Sequence, residues 1–589
     1  MRLSAAVQVQ CTASHERSPP PRLRSETREP GAPAAARPLR YRMKPCVFLP
    51  CVTDAWRERT AAERSHRLLV RVLASTIAGI DAVPVEVETD ISKGLPSCTI
   101  VGLPGGAVRE SADRVRAAIR NSGFPFPGRK ITINLAPADV RKDGALLDLP
   151  IALSILCAEG LVPADALGKY LVGGELSLDG SVKPVRGVLS QALLARQTGL
   201  PGIIVPDANF EEALLVPGLT VIPAATLRDA VAALSGEIHP SREGKRGLLP
   251  VPGAPRGPDL RDVVGQPVAR RALEIAAAGG HALLFSGPPG CGKTMLAERM
   301  PGILPDFEED EALETAKIYS AAGEPPWPRL VTQRPFRTAH HSVSPAGLVG
   351  GGNPPRPGEI TFAHGGVLFL DEFSEFRRDS REALRQPLES GEIRIVRAGN
   401  FYRFPCRFLL LAATNLCPCG SAGHPKRICR CSPPVLNRFS QKFSGPLLDR
   451  FDLSVTVAPV SPDDWSASSG GEESAAVRRR VTAARLAQSR RFAGRTFRTN
   501  GTACVSYSEM TSSFSPEARA FLLRAADRMG LSGRGIGKAA RVARTIADLA
   551  KDRDVSLRHV AEAIQYRLPD FALPGPEGRH SDTESLPRP

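Results

Sequence analysis

The first residues able to do chemistry form a glycine-rich octapeptide at 287–294. The sequence GPPGCGKT matches the pattern G-x-x-x-x-G-K-[ST], whose backbone N–H groups wrap phosphates. The apolar segment before it predicts a strand, and the segment after it predicts a helix whose N-terminus favours anions. Lys293 would reach the β- and γ-phosphates, and Thr294 would bind Mg²⁺. ATP binding is therefore predicted for Gly287, Pro288, Pro289, Gly290, Cys291, Gly292, Lys293 and Thr294.

Two carboxylates follow an apolar run, in the sequence GVLFLDE ending at Glu372. Four consecutive apolar residues are typical of a buried strand in a parallel sheet. Asp371 is predicted to hold Mg²⁺ through water, and Glu372 to polarise the attacking water. Together with the phosphate-binding loop, the two carboxylates predict ATP hydrolysis.

Three more polar residues are candidates for sensing the nucleotide. RFLLLAATN predicts a third buried strand, after which the Asn415 amide either orients the attacking water or caps the strand. Arg450, in GPLLDRFD, is predicted on an exposed segment, where it can reach the γ-phosphate of a neighbouring subunit. Arg541 lies on a predicted C-terminal helix as a candidate sensor. Arg544 is its rival one turn away, and a surface salt bridge is the alternative for both.

A basic hairpin is predicted at 391–405, with the sequence GEIRIVRAGNFYRFP. Isoleucines alternate with Arg394, and Gly399-Asn400 is a turn signal. Arg394, Arg397 and Arg403 are suited to phosphate contacts without base reading, so they are predicted to bind DNA. The alternative is a solvated charged hairpin.

Four cysteines give the pattern C-x-C…C-x-C, at Cys417, Cys419, Cys429 and Cys431. Four thiolates can hold a structural Zn²⁺ tetrahedrally, although C-x-C is tighter than the usual C-x₂-C. His424 lies between the pairs as a spare ligand. Reduced thiols and a redox-labile pair remain open. His340 and His341, further upstream, are predicted to be packing or turn residues rather than catalytic or metal-binding residues.

The elements that must position these residues divide the chain into segments. Strand and helix patterns predict two mixed α/β domains, the second with a parallel sheet, followed by a helical region. The predicted boundaries are a Pro/Arg-rich disordered head at 1–67, an α/β domain at 68–235, a linker at 236–258, a second α/β domain at 259–460, a flexible loop at 461–474, a helical lid at 475–570 and a disordered tail at 571–589. The head is either disordered or not native, with a start codon at Leu69 or Val70.

Composition limits the function classes. The 589 residues include 77 Lys and Arg against 61 Asp and Glu, a net charge of +16 that favours a polyanionic partner. No apolar run approaches the ~18 residues that cross a bilayer, so no membrane association is expected. The twelve cysteines do not have the spacing of a disulfide framework, since four cluster at 417–431 and the others are scattered. This usage favours a reducing cytoplasm.

The strand, phosphate loop, LDE, TN and LLDRFD motifs together resemble a AAA+ ATPase of the magnesium-chelatase/MCM-like branch. Segments 334–373 and 415–453, and the N-terminal GLPGGAVRESADRVRAAIRNSG and ADVRKDGALLDLPIAL, resemble the YifB/ComM family of bacterial proteins over about 68–570. This resemblance implies a Lon-protease-like (S5-like) α/β domain, a AAA+ P-loop core and a helical lid. It also implies a hexameric ring with the hairpin in its pore, and, for ComM members, ATP-driven branch migration of single-stranded or branched DNA in natural transformation.

The same resemblance raises the question of proteolysis. Leu146 stands where the Lon-type serine is expected, and Leu189 lies near the position of the lysine. Neither can act as nucleophile or base, and Ser190 has no evident partner in the sequence. An inactive protease fold is therefore expected. The alternative functions are a metal chelatase-type ATPase subunit, which the N-terminal domain disfavours, and a protein-remodelling regulator.

Overall fold

The structure is a computed structural model of the chain. It describes residues 69–237, 242–243, 257–324, 333–397, 400–424, 426–443, 448–460 and 471–567. These residues all belong to one compact unit that spans Ser65–Pro589. The predicted disordered head and tail lie outside the described residues, as does 461–470 of the predicted flexible loop.

The N-terminal part is built on two four-stranded sheets. The first has the order β1-β2-β4-β3, in which only β3 and β4 run parallel, and the second has the order β10-β9-β8-β5. Residues of the helix α2 are buried almost throughout, as its apolar sequence predicts. The strands are β1 Val70–Ala78, β2 Asp81–Ser92, β3 Ser97–Val101, β4 Lys130–Ala136, β5 Tyr170–Val172, β6 Glu175–Leu176, β7 Val182–Lys183, β8 Gly202–Pro206, β9 Thr220–Ala224 and β10 Arg242–Glu243. The helices are α1 Gly106–Asn121, α2 Asp148–Ala158, α3 Ala164–Leu167, α4 Val188–Gln197, α5 Phe210–Ala213 and α6 Leu227–Leu234.

The predicted linker at 236–258 is not wholly irregular. Within it, β10 pairs antiparallel with β9, so that Arg242 is opposite Val221. Sequence analysis assigned this strand to the linker because prolines and glycines flank it. In addition, a strand of two residues is too short to show an alternating pattern.

The central part is a five-stranded sheet of order β12-β15-β18-β11-β19, and all its pairings are parallel. Parallel strands place their carboxyl ends at one edge, so the loops that follow β11, β15 and β18 meet there. The strands of this part are β11 Leu283–Ser286, β12 Phe336–Ala339, β13 Gly350–Gly351, β14 Arg356–Pro357, β15 Val367–Leu370, β16 Glu392–Arg397, β17 Asn400–Pro405, β18 Leu409–Thr414 and β19 Leu453–Thr456. The helices are α7 Pro267–Gly279, α8 Lys293–Ala297, α9 Met300–Ile303, α10 Glu309–Ala322, α11 Pro345–Val349, α12 Glu359–Phe362, α13 Arg378–Ala383, α14 Arg385–Ser390 and α15 Pro433–Ser440.

The C-terminal part is helical. Its helices are α16 Ser474–Arg491, α17 Tyr507–Met510, α18 Pro516–Arg528, α19 Gly533–Ala550 and α20 Leu557–Gln565. Serine side chains cap α18 and α19 by accepting backbone N–H bonds, as the Ser-Pro and Ser-Gly starts favour. Val477 and Ala543 belong to the same hydrophobic core as Leu283 of the central sheet, so these helices pack directly on it.

The helix α10 joins the central part to the N-terminal part. Its Ala312, Leu313 and Ala316 share a hydrophobic cluster with Leu171 and Val188. This packing fixes the central sheet against the second N-terminal sheet. Among the described residues, no helix is both long enough and apolar enough to cross a membrane.

Candidate functional site

The phosphate-binding loop connects β11 to α8, as predicted. A Cβ at Gly287 would lie 2.3 Å from the Val457 carbonyl oxygen, so no side chain fits there. Gly290 and Gly292 have φ of +78° and +92°, in the left-handed region that glycine tolerates. The loop therefore needs these glycines for close packing and for its turns. The N–H groups at the start of α8 then face a prospective phosphate.

Lys293 is buried in the loop and linked to the next strand. Its Nζ donates to the carbonyl oxygens of Gly287 at 2.8 Å and Pro288 at 2.9 Å, and to Asn415 Oδ1 at 3.2 Å. Burial lowers the pKa of Lys293. The structure thus brings Asn415, the predicted sensor immediately after β18, directly to the lysine that is predicted to bind phosphate.

Thr294 and Asp371 form the second contact of the site. Thr294 Oγ1 donates to Asp371 Oδ2 at 2.8 Å, and Asp371 Oδ1 accepts from the Glu372 backbone N–H at 2.8 Å. A hydroxyl and a carboxylate are the hard oxygen ligands that Mg²⁺ prefers, and they are adjacent here. These residues therefore fit a magnesium ion, which would neutralise charge on the β- and γ-phosphates.

Glu372 follows Asp371 in a left-handed conformation, with φ of +50°, and its side chain is half exposed. The His341 ring lies beside it, with Nδ1 3.1 Å from Glu372 Oε2. The neighbouring His340 bonds Ser342 Oγ at 2.8 Å, a local turn contact. The assignment of His341 to packing or a turn stays a prediction, but its ring contacts the predicted catalytic carboxylate, which sequence analysis did not foresee. Only the pairing of β12 with β15 reveals this proximity.

Arg450 is not on an exposed segment. Its side chain is only 12% exposed, and its Nη2 donates to Glu389 Oε1 at 2.5 Å, at the end of α14. The sequence-based expectation of exposure fails because the aromatic and aliphatic neighbours of Arg450 pack into the core, as Phe451 does.

Arg541 is not brought to the phosphate loop. Its Nη1 donates to the Ala503 carbonyl oxygen at 3.2 Å, and its charge helps lower the pKa of Asp452. Asp452 precedes β19, whereas the phosphate loop lies past the opposite end, about 13 Å of strand away. Its rival Arg544 is buried and pairs with Asp548. The sensor role of Arg541 or Arg544 stays a prediction, which would require either side chain to leave these contacts.

The basic segment forms the predicted hairpin, with β16 and β17 antiparallel. Arg397 pairs with Asn400, so Asn400 is a strand residue and the connection is 398–399, outside the described residues. Because strand side chains alternate, Arg394 and Arg403 share the exposed face, whereas Arg397 lies on the other face with Ile395.

The exposed hairpin face is basic and aromatic. Glu392 pairs with both Arg394 and Arg403. Further along the same face Val396 is 57% exposed and Phe401 83% exposed. Sequence analysis missed Phe401, although an aromatic residue opposite a valine in a basic hairpin is a usable signal.

The four cysteines converge. Their sulfur atoms lie within 4.8 Å of one another, and all four are free thiols. Backbone N–H groups of Ser421 and Arg430 lower the pKa of Cys419 to about 5. His424, the predicted spare ligand, instead accepts a bond from the Lys426 N–H at its Nδ1, 3.0 Å away.

The positions compared with Lon-type catalytic residues lie in apolar packing. Leu146 is 8% exposed and Leu189 is fully buried. Ser190 does have a partner, since its Oγ donates to the Ile80 carbonyl oxygen at 2.7 Å. Its hydroxyl therefore ties α4 to the turn after β1.

Three family models match consecutive parts of the chain. Magnesium chelatase, subunit ChlI, matches 259–465, subunit ChlI of Mg-chelatase matches 87–209, and the subunit ChlI C-terminal model matches 471–567. The chain is 43% identical to YifB of Escherichia coli K12 over 510 residues, which cover 84% of this chain and 96% of YifB. It is 42% identical to the competence protein ComM of Haemophilus influenzae over 513 residues, 85% and 97% of the two chains. A Lon protease of Halothermothrix orenii is 31% identical over 162 residues, 26% of this chain and 20% of that protease.

Proposed function

This chain belongs to the YifB/ComM family of magnesium chelatase-like AAA+ ATPases, and we propose that it couples ATP hydrolysis to movement on single-stranded or branched DNA. The observation that carries the hydrolysis part is the convergence of Lys293, Thr294, Asp371 and Asn415 at one edge of the parallel sheet. The resemblance expected from sequence is confirmed for the family and for the α/β fold with its helical C-terminal part. The DNA-related activity is our proposal.

The proposed hydrolysis assigns one task to each residue. Lys293 would leave its carbonyl partners for the phosphates of ATP, and Thr294 with Asp371 would hold Mg²⁺. Glu372 accepts the hydrogen bond of the attacking water, and Asn415 orients that water or the γ-phosphate. The loops after three neighbouring strands supply these groups, so their relative positions are fixed by the sheet rather than by flexible side chains.

The proposed DNA contact is the exposed face of the hairpin β16–β17. Arg394 and Arg403 supply guanidinium groups for phosphates, and Phe401 supplies a ring on which an unpaired base can stack. Both properties are independent of base sequence, as a translocating motor requires. Stacking needs an unpaired base, so this face favours single-stranded or branched DNA over an intact duplex.

Assembly is part of the same proposal. A ring of six subunits would surround DNA with six such hairpins, and Arg450 would leave Glu389 to reach the neighbour's γ-phosphate. The Haemophilus influenzae relative is named a competence protein, and we propose recombination during natural transformation, in the cytoplasm, as the setting. Zn²⁺ on the four cysteines completes the proposed cofactors beside ATP and Mg²⁺.

The test is ATP hydrolysis by the purified full chain, with and without single-stranded and forked DNA, at low and moderate salt. We expect several-fold stimulation by DNA, lost in Lys293→Ala and much reduced in Arg394→Ala/Arg403→Ala. Arg524→Ala/Arg528→Ala removes two exposed arginines from α18 and is the charge-matched control. Hydrolysis indifferent to every DNA would overturn the DNA proposal and favour a chelatase-type or protein-remodelling ATPase. Sedimentation with ATP tests the hexamer, and a monomer would overturn the ring.

A further inference from the structure

The four cysteines already have the dimensions of a metal site. Cys417 Sγ and Cys419 Sγ are 3.3 Å apart, and Cys419 Sγ and Cys429 Sγ are 3.6 Å apart. A tetrahedral zinc ion with Zn–S bonds of about 2.3 Å places its sulfur ligands about 3.8 Å apart. The four sulfur atoms, all within 4.8 Å of one another, thus match a four-thiolate zinc site.

The segment around the cysteines offers backbone N–H groups and basic side chains to sulfur ligands. The Ala422 backbone N–H donates to Cys417 Sγ at 3.2 Å. Residues 415–431 include Lys426, Arg427 and Arg430 but no Asp or Glu. Thiolates are the ligands that zinc requires, and hard cations such as Mg²⁺ prefer oxygen, so zinc is the ion this site selects.

The segment that carries the cysteines has little else to hold its shape. Among its described residues from Asn415 to Cys431 there is no helix or strand. Ile428 is 88% exposed, so the second cysteine pair is not anchored by an apolar side chain. A long irregular segment with so little burial needs a crosslink to keep one conformation, and a four-thiolate metal supplies one.

The same segment touches the nucleotide site at two points. It starts at Asn415, which contacts Lys293, and continues to Cys417, whose side chain is buried. Gly420 then lies against the phosphate loop, since a Cβ there would be 2.8 Å from Pro289 Cγ. Gly420 also has φ of +73°, which only glycine adopts without strain. Any loosening of the cysteine cluster would therefore reach both sides of the nucleotide site.

We propose that Zn²⁺ bound by Cys417, Cys419, Cys429 and Cys431 braces this segment against Pro289 and thereby holds Asn415 in position for ATP hydrolysis. The inference rests on the proposed ATPase activity. The cysteines do not touch the nucleotide, and they act by positioning Asn415 and the phosphate loop.

The first measurement is the zinc content of the purified full chain by mass spectrometry of the metal. We expect one zinc ion per chain, retained in Cys504→Ser, which removes an exposed cysteine elsewhere, and lost in Cys431→Ser. After removal of zinc with a chelator, added Co²⁺ is expected to give the absorption spectrum of tetrahedral thiolate coordination. A protein that contains no zinc and gives no such spectrum would overturn the metal site.

The second measurement tests whether bound zinc affects ATP hydrolysis, separately from whether zinc binds at all. Removing zinc is expected to lower kcat about tenfold, and adding Zn²⁺ back is expected to restore it. Gly420→Ala is expected to keep the zinc and still lower kcat, because the new methyl group displaces Pro289. If kcat is the same with and without zinc, the brace is overturned while the metal site stands. If the zinc-loaded chain hydrolyses no ATP at all, both the proposed function and the proposed positioning of Asn415 by zinc are overturned. The zinc content still determines whether the metal site exists.

Discussion

His341 Nδ1 lies 3.1 Å from Glu372 Oε2, so a histidine from the loop after β12 contacts the carboxylate expected to polarise the attacking water. The two residues are 31 positions apart in sequence and meet because β12 and β15 are neighbours in the sheet. A carboxylate oxygen engaged by an imidazole is a weaker acceptor for water. We therefore expect the contact with His341 to lower the activity of Glu372 until the two side chains separate.

Replacing His341 by alanine tests this relationship. We expect ATP turnover without DNA to rise several-fold, with KM for ATP little changed, because the freed carboxylate accepts water more readily. His340→Ala is the matched control, since the His340 ring lies against His341 with centroids 4.0 Å apart but bonds only Ser342 among the described residues. Turnover that falls in His341→Ala would show instead that the histidine orients Glu372 productively.

Substitutions of Asp371 and Glu372 are expected to have different effects on ATP binding and ATP hydrolysis. Glu372→Gln should lower kcat by 10²-fold or more, on the scale of lost general-base catalysis, while ATP still binds. Asp371→Asn should weaken binding in the presence of Mg²⁺, because it removes the carboxylate that contacts Thr294. Nucleotide binding measured with and without Mg²⁺ separates the two. Cys504→Ser, at an exposed position in the C-terminal part, should keep both properties.

Phe401 is expected to contribute to DNA binding by stacking. Phe401→Ala should weaken binding of single-stranded DNA about 5- to 150-fold, corresponding to about 1–3 kcal/mol for a stacked base. Duplex binding should change little, since paired bases are not available. Fluorescence anisotropy with both DNA forms is the measurement, and Leu95→Ala, which removes another strongly exposed apolar side chain, is the control. Equal losses for both variants would rule out a specific stacking role.

The contacts of Glu314 predict that the free energy of unfolding depends on pH. Burial by itself raises the pKa of Glu314, but the hydrogen bond from His364 and the charges of Arg407 and Lys317 hold that pKa at about 2, below the ordinary 4.5. Since the folded pKa is depressed, the stabilisation is fully present above pH 4.5 and is lost as the pH falls toward 2. Solvent screening at this partly exposed side chain limits it to about 1–2 kcal/mol.

Glu314→Gln should therefore lower the thermal midpoint at pH 7, and the difference from the parent chain should shrink between pH 5 and pH 3. Glu309→Gln, at an exposed position on the same helix, should change little at either pH. A constant difference across this range would contradict the ion-pair origin.

Local sequence determined the elements of the nucleotide site. Glycine spacing in 287–292, the four apolar residues before Asp371 and the apolar run before Asn415 each depend on neighbours within a few residues. Their backbone requirements are therefore readable without the fold. The parallel arrangement also follows, since three buried strands that each end in polar residues place those residues at one edge.

Tertiary structure alone decided the contacts made across the sheet and between the parts of the chain. His341 reaches Glu372 only through strand order, Arg450 is covered by packing around Phe451, and Arg541 is at the far end of β19 because of how α19 packs. Arg394 lies directly opposite Arg403 rather than opposite Pro405, because the hairpin connection is one residue earlier than its turn signal suggests. Such relationships depend on register and packing, which residues far apart in sequence determine jointly.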